Sequence, residues 1–167
     1  MPVTIRPATP ADADRMLQIF RAVIATGDTY VFGIDTSDAD ARDYWQGPGM
    51  ASWVAEREGE VVAMYKLIAN RRDRGSHVAN ASFMVDPAQH RRGVGRLMGE
   101  HCLREAAAAG FRAMQFNFVV STNTGAVALW KSLGFAIVGT SPQAFQHPQL
   151  GLVDAYVMHR TLEDLSA

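Results

Sequence analysis

One cysteine, Cys102, is all the thiol this chain carries. No internal disulfide can form, which fits a reducing compartment, and a CxxC or Cys/His zinc cluster is excluded by count. The five histidines, at 77, 90, 101, 147 and 159, show no HxxxH spacing, so no metal is expected. An excess of one charge is missing too: 16 Lys and Arg stand against 17 Asp and Glu, a formal net charge of -1. A protein that wraps nucleic acid carries a large positive excess, so nucleic acid is not an expected partner. No apolar run reaches the roughly 18 residues that a membrane span requires. The start, Met1-Pro2-Val3-Thr4-Ile5-Arg6, lacks a basic region followed by an apolar stretch. It does not read as a signal peptide, and a cytoplasmic location without membrane contact is the expectation.

What is present suits one domain over residues 1–167. That length buries a real core, and 48% apolar with 20% charged residues is an ordinary globular balance. Val3 to Arg6 alternates as a short strand. Thr9-Pro10-Ala11-Asp12 then signals a helix start, and apolar positions 16, 17, 19, 20, 23 and 24 give it a buried face. Gly27 to Thr36 is irregular and holds Tyr30 and Phe32. Ser37 opens a second helix that runs to Trp45. Strands are expected over 52–57, 61–69, 78–85, 113–120, 135–140 and 153–159. A hairpin is expected at Glu58-Gly59-Glu60. Helices are expected over 93–109 and 124–133, stopped by Gly110 and Gly134. Arg71 to Arg74 reads as a solvated turn and Cys102 as a core residue. This mixed order implies an α/β sheet with helices on both faces.

The segment that carries chemistry is Met84-Val85-Asp86-Pro87-Ala88-Gln89-His90-Arg91-Arg92-Gly93-Val94-Gly95-Arg96-Leu97. A strand ends at a proline, a basic loop follows, and two glycines open a helix. First-turn amides have no partner within the helix and sit at its positive end. Glycines there let a phosphate approach the backbone. Arg91, Arg92 and Arg96 add formal charge. Gly-x-Gly alone is also compatible with a plain tight turn. A P-loop is disfavoured because no Gly-Lys-Ser/Thr follows. A Rossmann site is disfavoured because Met98 stands where its third glycine belongs.

His90-Arg91-Arg92-Gly93-Val94-Gly95 resembles the Q/R-x-x-G-x-G/A motif of the GNAT N-acetyltransferases. Asn123-Thr124-Gly125-Ala126 through Leu133-Gly134-Phe135 resembles the family's second signature, and Ile5 to Asp12 its usual start. The resemblance implies a mostly antiparallel mixed sheet, splayed in the middle, with acetyl-CoA as cosubstrate. It further implies that the backbone of Met84 and Val85 pairs with the pantetheine arm. Amides from Arg91 to Arg96 would hold the pyrophosphate, within a cofactor site spanning His90 to Leu97. Asn123 would bond the pantetheine region, and the Val85 amide would face the oxyanion. Many relatives dimerise, so a homodimer is one expected assembly.

Three positions depart from the family pattern. His90 replaces Gln or Arg. Trp130 replaces a tyrosine and cannot lend a proton, so it is read as packing or a cofactor contact. The strand 78–85 has no glutamate, so water, a backbone carbonyl near Asn80, or Glu56 are the bases left open. Tyr156 and Lys131 are the substitute acids to test. Asn80 and Asn117, with Tyr30 and Phe32 above them, are read as the acceptor site. Asn80, Asn117 and Asn123, with the tail 139–145 and 153–156, resemble the subgroup acting on proline analogues, and the segment ahead of the Ser37 to Trp45 helix is similar to that of amino-acid acetyltransferases of the phosphinothricin type. The expected reaction is direct acetyl transfer to a small-molecule amine. The alternatives are a protein N-terminal or lysine acetyltransferase, or a CoA-binding sensor without turnover.

Overall fold

The computed structural model describes residues 2–90 and 92–165. Among them the chain runs β1 (Thr4–Pro7), α1 (Ala13–Ile24), α2 (Asp38–Gln46), β2 (Ala51–Arg57), β3 (Glu60–Ala69), β4 (Val78–Val85), α3 (Val94–Ala108), β5 (Ala113–Val120), α4 (Thr124–Ser132), β6 (Ala136–His147) and β7 (Gly151–Thr161). These strands form one sheet in the order β1-β2-β3-β4-β5-β7-β6. Every neighbouring pair is antiparallel except β4 and β5, which are parallel. This is an open α/β sheet with helices on both faces.

Local chemistry sets the element ends. Asp12 accepts from the Thr9 amide at 2.7 Å, closing a capping box before α1. Ser37 Oγ accepts from the Asp40 amide at 3.0 Å and caps α2. Glu58 and Gly59, with φ of 54° and 80°, make the tight turn between β2 and β3. Gly110 and Gly134 end α3 and α4 with φ of 90° each, a conformation that an L side chain resists.

Each sheet face buries its own helix pair. Met16, Ile19, Phe20 and Val23 of α1 and Trp45 of α2 pack on Val54, Met64 and Met84. Met98, Cys102, Leu103 and Ala106 of α3, with Trp130 of α4 and Leu133 just after it, pack on Tyr65, Leu67, Ala81, Phe116 and Met158. Cys102 is buried as expected, and burial pushes its thiol well above the usual range, so it is not a nucleophile. Gly99 lets α3 and α4 meet, since a Cβ there would lie 2.7 Å from Leu133 and 3.1 Å from Trp130.

The last hairpin is longer than its residues suggest. β6 continues from Thr140 through Ser141-Pro142-Gln143 to His147. Pro142 lies on the edge strand, where its missing N–H costs no ladder hydrogen bond. Gln143 takes φ 51° within a register shift, and its amide donates to Asp154 Oδ1 at 2.9 Å instead. A bulged edge strand does not alternate, which hides it from a pattern reading.

Arg6 clamps Asp12 with two 2.9 Å bonds and also holds Glu56 at 2.7 Å, tying β1 to the start of α1. The Arg6 hydrogen bonds hold the nearly buried Asp12 carboxyl well below the usual range, against the opposing effect of burial. A group with a depressed folded pKa adds stability above its unfolded pKa, about 3.9, and loses it as pH falls toward the folded value. Asp12→Asn should therefore lower the unfolding free energy at pH 7 by about 1–3 kcal/mol. The deficit relative to the parent should shrink below pH ~4 in urea titrations.

Candidate functional site

The parallel β4–β5 ladder is short. It pairs Val78 with Ala113 and Ala79 with Met114, and no further pair is registered. Below it the Arg112 amide bonds the His77 carbonyl at 2.9 Å, pinning that end shut. Beyond it the strands part. An aromatic wedge sits between them: the Phe83, Phe116 and Trp130 rings lie 4.7–6.2 Å apart. A register shift between Phe116 and Val119 turns β5 toward β7.

The parting leaves a cleft of about 460 Å³. Asn80 to Phe83 form one wall, and Phe116 to Val120 with Asn123, Ala126 and Trp130 the other. Tyr30, Val31, Phe32 and Tyr44 close it from the α1–α2 side. No charged side chain lines it among the described residues. Asn80, Asn117, Tyr30 and Phe32, read from the sequence for the acceptor, thus share one cleft with Asn123 and Trp130, read for the cofactor.

Alternation along β4 decides which backbone groups face the gap. The Asn70 amide bonds the Val78 carbonyl at 2.7 Å, and the Asp86 amide bonds the Val62 carbonyl at 2.9 Å. The register between them is unbroken, so even-numbered residues of β4 turn their main chain to β3. Odd-numbered residues, Phe83 and Val85 among them, turn theirs to the gap. The expectation for Met84 therefore changes: its main chain belongs to the β3 ladder and its side chain is buried in the α1–α2 core. Val85 keeps a gap-facing amide, and Phe83, absent from the sequence reading, joins it.

The Phe83 groups already have a partner. Tyr30 Oη donates to the Phe83 carbonyl at 2.5 Å and accepts from the Phe83 amide at 3.0 Å. A phenol here fills the position of a missing strand. Burial raises the Tyr30 hydroxyl far above its ordinary value, so it stays neutral. Its ring stacks on Phe32, which packs edge-on to Tyr44.

Asn117 donates to Asn70 Oδ1 at 2.7 Å and accepts from Gln115 Nε2 at 3.1 Å, forming an amide chain on the cleft wall. Asn80, also on the wall, has no side-chain hydrogen bond among the described residues. Asn123 caps α4 through its Oδ1, which accepts from the Ala126 amide at 3.3 Å. Its Nδ2 remains as a donor. Trp130 is 8% exposed and forms the aromatic floor.

The loop after β4 is held by its own carboxylate. Asp86 accepts from the Ala88 amide at 2.9 Å and from Arg15 at 2.6 Å. Burial alone would raise its pKa, yet these donors hold it below the ordinary value. Gly93 starts α3 with φ 76° and no side-chain cap. The amides of Val94, Gly95 and Arg96 therefore have no intrahelical partner. Val94 offers only its backbone, since its side chain is buried. His90, Arg92 and Leu97 are exposed. Arg96 is tied outward to Ser132 at 2.7 Å and Glu100 at 3.4 Å. Arg91 lies outside the described residues.

Two of the groups named for proton transfer stand elsewhere. Glu56 is bound to Arg6 on β2 at 2.7 Å, away from the cleft. Tyr156 sits on β7 opposite Val119 and packs against the α3–α4 core, outside the cleft lining. Tyr44, Ser82 and Lys66 were missed by sequence reasoning. They lie on different elements, and only register brings them together. Tyr44 Oη and Ser82 Oγ are 2.6 Å apart. Lys66 stands opposite Ser82 in the β3–β4 register.

Comparison with known proteins places this arrangement. The model of the Acetyltransferase (GNAT) family matches residues 20–135. The chain is 26% identical over 151 residues to N-acetyltransferase aca1 of Schizosaccharomyces pombe, covering 80% of this chain and 72% of that protein. A GCN5-related N-acetyltransferase from Kribbella flavida is similar at 44% identity, with a TM-score of 0.90 over 95% of this chain and 97% of that one. A phosphinothricin acetyltransferase from Sinorhizobium meliloti, solved in complex with acetyl-CoA, has a TM-score of 0.84 and 23% identity. It covers 96% of this chain and 89% of that one, and at this identity it shows the shared fold.

Tyr30→Phe keeps the ring stack and removes both bonds to Phe83. It should lower the unfolding free energy by about 1–2 kcal/mol in urea titrations. An unchanged midpoint and slope would mean that water replaces the hydroxyl without loss.

Proposed function

Because this chain belongs to the Acetyltransferase (GNAT) family, we propose that it moves an acetyl group from acetyl-CoA to the amine of a small molecule, an amino acid or an analogue of one. The observation that carries this reading is the parted β4–β5 gap. It joins gap-facing amides at one end to a neutral cleft of amides and aromatics at the other. The residues present fit the cosubstrate. Uncapped amides at the start of α3 suit a pyrophosphate, and Gly93 leaves them open, with nothing within 4 Å of where its Cβ would be. Acetyl-CoA supplies an activated acyl thioester when bound.

Each part of the chain has a role in this reading. The Val85 amide faces the gap and is the donor for the developing oxyanion. Asn123 Nδ2 offers a bond to the pantetheine region beside it. Phe83, Phe116 and Trp130 exclude water from one side of the gap. Asn80 and Asn117 orient the acceptor by its polar groups. No carboxylate lines the cleft among the described residues, so the acceptor proton leaves to water or to a main-chain carbonyl near Asn80. A cleft of about 460 Å³ suits a small molecule. A polycationic acceptor would call for carboxylates that this lining lacks.

Thiol release with a panel of amino acids tests the reading directly. Acetyl-CoA binding without release for any amine would favour a sensor. Gly95→Glu puts a carboxylate in the cradle and should weaken acetyl-CoA binding at least about tenfold by calorimetry. Gly95→Ala is the control, because its Cβ would sit 3.6 Å from Leu129 in ordinary contact. Asn117→Ala should raise the acceptor KM by about tenfold and leave the cofactor KM alone, the size expected for one buried polar contact. If neither constant moves, the amide chain is structural.

A further inference from the structure

Lys66 is 4% exposed, on the same sheet face as the acceptor wall. Its Nζ donates to the Tyr44 carbonyl at 2.8 Å and lies 3.2 Å from the centre of the Tyr44 ring. No carboxylate pairs with it within 4 Å among the described residues. Asp43 acts on it only through space and is itself exposed. A buried ammonium is costly unless something compensates it. Here the ring face and one carbonyl do so in part. Burial pushes its pKa down to about 8, which leaves it mostly protonated at pH 7.

The charge stands directly behind the cleft. Ser82 is its cross-strand partner, and Tyr44 lies between it and the cavity. Tyr44 and Ser82 share one hydrogen bond of 2.6 Å. Two hydroxyls carry two protons, and that bond uses one. The second proton is free to point into the cleft. Asn80, two residues along the same face of β4, adds an amide with no side-chain hydrogen bond among the described residues. These are donors backed by a positive charge, on a cleft lined by no charged side chain among the described residues.

We propose that Lys66 makes this cleft selective for acceptors that carry a carboxylate, which the Tyr44–Ser82 hydroxyl pair and the Asn80 amide receive. The inference rests on the acetyltransferase reading for the identity of the cleft, and it names the feature of the acceptor that the cleft selects. Lys66 does not touch the reacting amine. It acts by charge through Tyr44 and Ser82.

The test is calorimetry on the full chain with saturating CoA, using N-acetyl-alanine and N-acetyl-alaninamide as probes. The parent protein should bind the acid at least about tenfold more tightly than the amide. Lys66→Met keeps the length and apolar packing of the side chain. It should cut that advantage to less than about threefold, with amide and CoA affinities within about twofold of the parent. Equal affinity of the parent for both probes, or no measurable affinity for the acid, overturns the proposal, and this comparison needs no variant. A preference that survives Lys66→Met also overturns it. Acid binding without any acetyl transfer would sink the enzyme reading and leave Lys66 standing. Transfer to amines without acid preference would do the reverse.

Discussion

Main-chain amides and carbonyls inside a sheet must find partners, and between β4 and β5 the chain provides them for only two residue pairs. The rest of the molecule is arranged around that shortfall. The Arg112–His77 bond closes the sheet below it, and an aromatic wedge keeps it open above. On the other face, Tyr30 reaches in from an irregular segment and occupies Phe83. The cleft exists because β4 and β5 pair over two residues only, in a sheet whose other neighbours pair at length.

The helix start beside the gap has the same logic in another form. Gly93 takes a left-handed conformation, and no side chain caps the turn that follows. Asp86 does bond its own loop and Arg15, which fixes where that turn begins. Arg96 is committed to Ser132 and Glu100, which leaves the unpaired backbone amides as the donors at this helix start.

Much of this was legible in the sequence, for reasons that differ by element. Helix starts at Thr9 and Ser37 announce themselves because capping is local chemistry, whereas the cap that Asn123 makes on α4 appears only in the structure. β4 and β5 match their expected bounds because each is a short run flanked by breakers. The Tyr30–Phe32 segment and the Asn80–Asn117 pair reached the same cleft as foreseen. Pairing partners were not legible. Met84 and Val85 look equivalent in sequence, and only the register with β3 shows which one faces the gap. Glu56 looked available until Arg6, fifty residues away, was seen to hold it. Lys66 reads as an ordinary strand lysine, since nothing local to it signals burial beneath Tyr44.

The bulged end of the sheet has a bearing on solubility. An open row of amides and carbonyls on an outermost strand recruits other chains and seeds fibrils. Here one margin is the four-residue β1, which ends at Pro7, and the opposite margin is β6, interrupted by Pro142 and the left-handed Gln143. Neither rim offers a long uninterrupted template. A sheet that parts in its middle has its two borders guarded against strangers of its own kind.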